Sequence, residues 1–393
     1  MSATLAHLSP AQRELIAETR QIAVERLRPI ARAGVEGELN RPLVRALAEH
    51  GLLERLFGLS GGAAARGAPA ISAVDLCLTR EALAIESTEA ETAFALQGLG
   101  SYPILLGGGP DVIERWIGPV AAGDAIAAFA LTEPNAGSDV AAVEMTAERD
   151  GADWRLSGEK TFISNAPEAD IYSIFARTSD AGARGLTAFA LPGDAPGLSG
   201  ERHELLSPHP IGRLELDGAV VPGDHLIGEL DGGFRVAMRT LNLFRPSVGA
   251  FAVGMAQAAL DASISYASER QAFGSAIKEF QAVSHRIAEM ATRTQAARLL
   301  VKAAADATDQ IVEDPDGSGG RRADPAELVA MAKLYATEAA QFVVDGAVQI
   351  HGARALEQGH LLEHLYREVR APRIYEGTSE IQREIIARRL FRG

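Results

Sequence analysis

Residues 171–192 read IYSIFARTSDAGARGLTAFALP. Two short runs within it, IYSIFART (171–178) and GLTAFALP (185–192), favour β structure and are bounded by turn formers, which predicts two strands. This stretch decides the fold because its surroundings, from about 126 to 233, are too dense in Gly, Pro and Asp for helices. LELDGAVV (214–221) adds Asp217-Gly218 between two alternating runs, a hairpin signal. The region therefore reads as an all-β domain.

On either side the texture is helical. Ser9-Pro10-Ala11-Gln12 supplies an N-cap serine, a proline for the first helical position and a glutamine for a capping box. Leu15, Ile16, Ile22, Ala23 and Leu27 then recur at roughly helical spacing. Asn40-Arg41-Pro42 starts another helix, and Gly51 is placed to end it. Beyond 236, residues 245–270 and 280–311 are long helical patterns. A polar Gly/Pro loop at 313–327 joins the second to a third, which suggests a bundle. The resulting α+β multidomain reading divides the chain into a helical domain (1–125), a β domain (126–235) and a helical bundle (236–393).

A chain of 393 residues has room for two or three such domains. Its net charge of −14 repels phosphate backbones and speaks against a nucleic-acid partner. One cysteine, Cys77, excludes an intrachain disulfide and fits a reducing compartment. The N-terminus turns charged without a signal-like apolar core, and no run approaches the ~20 apolar residues that cross a bilayer. The expectation is a soluble cytoplasmic protein with no membrane association.

No Gly-rich dinucleotide or nucleotide-phosphate fingerprint and no G-x-S-x-G elbow occurs. His360-Leu361-Leu362-Glu363-His364 matches the H-x-x-E-H zinc pattern. A third ligand and a second shell are not evident, so the pair reads as solvated histidines and no metal is expected. Three other stretches hold chemistry of interest. In 129–166, Thr132 and Ser138 can hydrogen-bond a ligand, and Phe162 and Ser164 set an aromatic face beside a hydroxyl. In 269–291, Arg270 offers an always-charged fork suited to phosphate. In RIYEGTSEIQRE (373–384), Glu376 stands between a tyrosine and a glycine, before the capping-box pattern Ser379-Glu380-Ile381-Gln382. Each has an ordinary alternative: a plain loop, a helix-capping arginine, a turn glutamate.

Taken together, LTEPNAGSDV, GEKTFISNA, ERQAFGSAIKEFQAVSHRIAEMA, QIHG and RIYEGTSEIQ resemble the acyl-CoA dehydrogenase family in order and spacing over essentially the whole chain. The resemblance implies an N-terminal α-helical domain, a central antiparallel β-barrel-like domain and a C-terminal four-helix bundle. It also implies FAD bound without a Rossmann fold and a homotetramer, a dimer of dimers. Carried over by position, Phe129, Leu131, Thr132, Phe162 and Ser164 would line the isoalloxazine, Ser164 standing where many relatives have threonine. Arg270, Phe273, Gln281, Gln349 and Gly352 would contact the adenosine-diphosphate half, mostly from a neighbouring subunit. Thr378 and Glu380 would close over the flavin phosphate and ribityl region. Ser138 and Arg245 would lie near the CoA pantetheine chain, with Tyr375 and Gly377 also at the substrate.

Glu376 matches the family's catalytic base. The resemblance implies that it takes the α-proton of an acyl-CoA or other acyl thioester while FAD takes the β-hydride. The product would be a trans-2-enoyl thioester, with electrons passed to an electron-transfer flavoprotein. The opening helix dipole favours the ionised carboxylate, and burial would push its pKa upward. Relatives lacking this glutamate carry the base near residue 244, which here is Phe244. Departures from the family pattern are Ala353 and Ala355 in place of glycines, and LLSPHPIGRLELDG before the last strands. Glu91, in the pocket-lining segment ETAFALQGLGSYP, is read as facing solvent; facing the pocket, it would imply a polar or short acyl chain. Rival functions are an acyl-CoA oxidase, which typically has a further C-terminal domain where this sequence stops ten residues after Arg383, and a nitroalkane oxidase, whose base is aspartate. A non-catalytic flavin-binding relative is the remaining rival.

Overall fold

The computed structural model describes residues 8–58, 71–313 and 325–391. The expected loop at 313–327 lies largely outside them. In chain order the elements are α1 (Pro10–Ile22), α2 (Arg28–Ala33), α3 (Arg41–Glu49), α4 (Leu52–Leu56), α5 (Ala73–Glu86), α6 (Thr88–Gly107) and α7 (Pro110–Ala121). Eight strands follow: β1 (Ala127–Ala130), β2 (Thr146–Asp150), β3 (Asp153–Ser164), β4 (Ile171–Arg177), β5 (Leu186–Pro192), β6 (Leu198–Arg202), β7 (Ile211–Val221) and β8 (Leu226–Ile227). Then come α8 (Gly233–Glu269), the short β9 (Gln271–Ala272) and β10 (Ser275–Ala276), α9 (Gln281–Glu313), α10 (Ala326–His351), α11 (Leu361–Glu368) and α12 (Ser379–Leu390).

The chain divides into two compact units. One comprises Met1–Arg28, Ser72–Glu91 and Asn242–Gly393; the other comprises Pro29–Ile71 and Thr92–Leu241. In the first, α10 packs against α9, α11 and α12, and α5 packs against α1 and α9. Ser9 and Gln12 form the reciprocal capping box that the sequence predicts for α1. The N-terminus of α5 is satisfied from two sides. Ser72 accepts from Asp75 N, and the distant Asp309 carboxylate accepts from Ala73 N (2.5 Å) and Val74 N (3.0 Å). Arg20 and Arg28 converge on Glu86 at the other end of that helix.

In the second unit, Asn40 caps α3 by accepting from Leu43 N, and Gly51 follows its end at φ +73°. The sheet runs in the order β6-β7-β3-β2-β4-β5-β8, with β1 also on β4. Strands β4 and β5, read from the deciding stretch, pair antiparallel from Ile171↔Pro192 to Arg177↔Leu186, and β5 is buried throughout. Two features differ from the sequence reading. The sheet is not purely antiparallel, because β1 and β2 each pair parallel with β4. Asp217-Gly218 makes no hairpin but lies inside the continuous strand β7. There two residues face one across a register shift between Leu156↔Ala219 and Gly158↔Leu216. Gly218 takes φ +63° in this bulge and donates its N–H to Ser157 Oγ. Bulges and type I′ turns demand the same left-handed backbone, which is why the dipeptide misleads.

Part of α8 is long and apolar enough to cross a bilayer by length and composition, yet most of that window is buried within the protein.

Candidate active site

Glu376 and Gly377 form a short left-handed turn ahead of α12, at φ +51° and +91°. A glutamate there is disfavoured by about 1–2 kcal/mol, so its surroundings must hold it. Four hydrogen bonds on two adjacent carbonyls do so. Glu376 O accepts from Arg245 Nε (3.1 Å) and Gln382 Nε2 (3.4 Å). Gly377 O accepts from Lys333 Nζ (2.7 Å) and Gln382 Nε2 (3.0 Å). A side chain at 377 would meet the end of the Gln382 side chain at 2.5 Å and push it off these carbonyls, and the backbone at φ +91° favours glycine. The α12 cap is Thr378, whose hydroxyl accepts from Ile381 N (3.3 Å), and not Ser379 as the sequence pattern predicts. Ser379 is the first helical residue and donates instead to Glu338 (2.8 Å), which also pairs with Arg373 (2.9 Å). Both hydroxyls can cap, and the position of Glu338 decides which one does.

Glu376 as a residue is half-buried, but its Oε2 is shielded from solvent and has no hydrogen-bond partner. Burial raises the pKa of this carboxyl, while the positive charges of Arg80, Arg245 and Lys333 pull it back. Burial also lifts the neighbouring Tyr375 phenol well above its usual range. The site thus holds a carboxyl oxygen with no hydrogen-bond partner among three cations.

Arg80 lies on α5 and Glu91 near the start of α6, and the two form an ion pair with side chains 4% and 0% exposed. Glu91 therefore does not face solvent as the sequence reading has it; a partner elsewhere in the unit makes its burial tolerable. Arg80 also donates from Nη1 to Ser247 Oγ (2.6 Å), and Ser247 donates to Phe244 O (2.6 Å). Burial opposes the Arg80 charge, but Glu91, Tyr375 and Glu376 more than offset it and raise its pKa.

The residues expected at the isoalloxazine converge within the second unit. Thr161 N donates to Thr132 O (2.9 Å), and Asn165 Nδ2 to Ala127 O (2.9 Å), tying segment 127–132 to the end of β3. Behind them Lys160 is fully buried. Its Nζ donates to Leu131 O (3.1 Å) and pairs with Glu133 (2.7 Å). Burial draws the Lys160 ammonium down to about 8. Phe129 packs on Phe175 with ring centroids 5.0 Å apart. Phe162 is 56% exposed at φ +55°, an apolar ring turned out of its strand beside His203. Ser164 pairs with Ile211 at the strand end, and Ser138 is exposed.

The residues expected at adenosine diphosphate gather elsewhere. Tyr266 of α8 stacks on His351 of α10 at 4.2 Å, which brings the helix ends bearing Arg270 and Gln349 side by side. Phe273 is 97% exposed at φ +51° between β9 and β10, and its ring meets Phe280 edge-on at 6.1 Å. Arg270, Gln281 and Gln349 are exposed, and Gly352 ends α10 at φ +64°. Gln349 lies sixteen residues beyond Lys333 on α10, or roughly 24 Å along the helix, so this group is remote from Glu376. Thr378 and Glu380 stay beside it. The exposed Glu380 carboxylate is held below its usual range by its own backbone N–H and the Thr378 hydroxyl.

Residues of the H-x-x-E-H pattern have other partners. His360 caps α11, His364 bonds Thr88 (2.6 Å) and Glu363 pairs with Arg367 (2.6 Å). Among the described residues no three His, Cys, Asp or Glu side chains could hold a metal ion.

Sequence reasoning misses Arg80, Lys333 and Gln382. A signal was present: Lys333 has Val329, Ala330, Ala336 and Thr337, and Arg80 has Leu76, Cys77, Leu83 and Ala84, at helical spacings of three and four. A charge centred on an apolar helical stripe is buried and needs a partner. The residues present fit the two halves of one flavin dinucleotide, the ring half in the second unit and the adenosine half in the first. An exposed aromatic ring stands at a strand end, and an exposed arginine and two glutamines have no side-chain hydrogen bonds within the described fold.

The chain matches the models of the acyl-CoA dehydrogenase N-terminal domain over residues 9–124, middle domain over 128–219 and C-terminal domain over 231–391. It is 35% identical to cyclohexane-1-carbonyl-CoA dehydrogenase of Geobacter metallireducens, covering 96% of this chain and 97% of that protein. It is 37% identical to the caffeyl-CoA reductase-Etf complex subunit CarC of Acetobacterium woodii, over 75% of this chain and 76% of that one. Among solved structures, an FAD complex of PigA superposes with a TM-score of 0.88 at 29% identity, covering 98% and 99% of the two chains. Fold and site thus define an FAD-dependent oxidoreductase. The chain belongs to the acyl-CoA dehydrogenase family.

Proposed function

We propose that this enzyme oxidises a saturated acyl-CoA, or a related acyl thioester, to the trans-2-enoyl thioester, with Glu376 as the base. The observation that carries the reading is the buried, unpartnered Glu376 Oε2 surrounded by Arg80, Arg245 and Lys333. An α-proton moves to this carboxylate as the Cα–Cβ double bond forms. Bound FAD supplies the acceptor for the β-hydride, and the pair of electrons leaves with it. The upward push of burial moves the carboxylate towards the neutral range in which a general base is most effective. Phe129, Leu131, Thr132, Phe162 and Ser164 hold the ring system, Thr378 and Glu380 the ribityl phosphate, and Ser138, Arg245, Tyr375 and Gly377 the substrate.

Electron transfer to an electron-transfer flavoprotein is part of the same proposal, supported by the name of the A. woodii relative. So is a cytoplasmic homotetramer in which Arg270, Phe273, Gln281, Gln349 and Gly352 reach a neighbour's adenosine half. Their exposure at one end of α8 and α10 supports it. The division at 1–125, 126–235 and 236–393 is likewise proposed.

The test is an anaerobic titration of the purified flavoprotein with a panel of saturated acyl-CoAs, beside Glu376→Gln. Bleaching by one class of acyl-CoA that the variant loses is expected. Bleaching that survives in Glu376→Gln would remove it as the base. Reoxidation by air with hydrogen peroxide release, in place of an electron-transfer flavoprotein, would make the enzyme an oxidase.

A further inference from the structure

Lys333 is fully buried on α10. Its Nζ hydrogen-bonds Gly377 O at 2.7 Å, one peptide unit beyond Glu376. That carbonyl already receives a neutral donor, Gln382 Nε2, at 3.0 Å. Burying an ammonium is expensive, and a hydrogen bond alone does not account for it. Its charge must matter to something nearby, and of the acids around it Glu376 acts on it most strongly.

We propose that Lys333 is a positioning residue for the proton abstraction: it pins the Gly377 carbonyl, so that Glu376 keeps its left-handed backbone, and its positive charge favours the ionised carboxylate. The inference rests on the reading of Glu376 as the base. Glu376 is faced by Arg80 from α5, Arg245 from α8 and Lys333 from α10. Lys333 is faced by Glu376, by Arg245, by Glu338 on its own helix and by Glu380 on α12. Arg80 is committed to Glu91, and an arginine keeps its charge at any working pH. Burial draws the Lys333 ammonium down to about 8, against the pull of Glu376. Lys333 is therefore the one cation of the three that discharges in an accessible range. Raising the pH first ionises the base and then removes the charge that favours it.

The experiment is single-turnover flavin bleaching of the FAD-loaded enzyme, by an acyl-CoA it accepts, across pH. Wild type, Lys333→Met, Lys333→Gln and Glu376→Gln are compared, with a crystal structure of each lysine variant. Lys333→Met is expected to slow bleaching by roughly 10- to 100-fold with the half-saturating acyl-CoA concentration little changed. Its acidic limb should move to higher pH, its alkaline limb should vanish, and residues 376–377 should leave positive φ. Lys333→Gln keeps a donor without the charge, so it should shift the acidic limb while preserving the turn, and it serves if the methionine variant fails to fold. Wild-type rates and limbs in the lysine variants, with Glu376→Gln inert, would overturn the role of Lys333 and leave the base intact. A Glu376→Gln enzyme that bleaches normally would overturn both.

Discussion

Arg80 and Glu91 pair across two helices with their side chains 4% and 0% exposed, and the arginine reaches on to Ser247 and over the Phe251 ring at 6.0 Å. Such a pair contributes little net stability, yet breaking it strands a charge. Arg80→Met should therefore cost roughly 3–5 kcal/mol in urea unfolding, and Arg80→Met with Glu91→Leu should recover most of that. A double variant no more stable than the single one would argue against an isolated ion pair.

Removing the Glu376 charge should stabilise the fold. Its folded pKa lies above the unfolded value, so as pH rises the unfolded chain ionises first and stability is lost across that interval. Glu376→Gln should melt higher than wild type at neutral pH and converge with it in acid. Scanning calorimetry across pH checks this. A constant offset at all pH values would point to another cause.

Lys160 gives the opposite slope. Its folded pKa is about 8 against an ordinary 10.5, so between these values the unfolded chain binds more protons and stability rises with pH. The advantage of wild type over Lys160→Met should widen from pH 8 to 10.5, as read from denaturant midpoints. A gap that narrows over that window would contradict the burial of a charged ammonium.

Gly218 has open space around a would-be side chain, the nearest atom being Arg155 Nη1 at 3.9 Å. The cost of Gly218→Ala is then conformational alone, about 1–2 kcal/mol from the left-handed backbone. A loss well above this would mean that the β7 register itself had slipped.

These cases show what the sequence could convey. The start of α1 was legible because its capping box is closed within four residues. The role proposed for Glu376 comes from an extended motif alone, since periodicity left a turn glutamate. Asp217-Gly218 announced a left-handed residue and not whether a turn or a bulge would use it; that depends on Ser157, sixty-one residues earlier. Lys333 and Gly377 are forty-four residues apart, and no local pattern joins them. Glu91 was misplaced for the same reason: its partner decides its burial.

Gly377 and Gln382 have a consequence for how sequences of this kind can diverge. The space a side chain at 377 would need is filled by the amide at 382, and that amide supports both carbonyls of the turn. A change at either position is felt at the other. A side chain at 377 would displace the amide at 382, and the turn would then need a new support for its carbonyls.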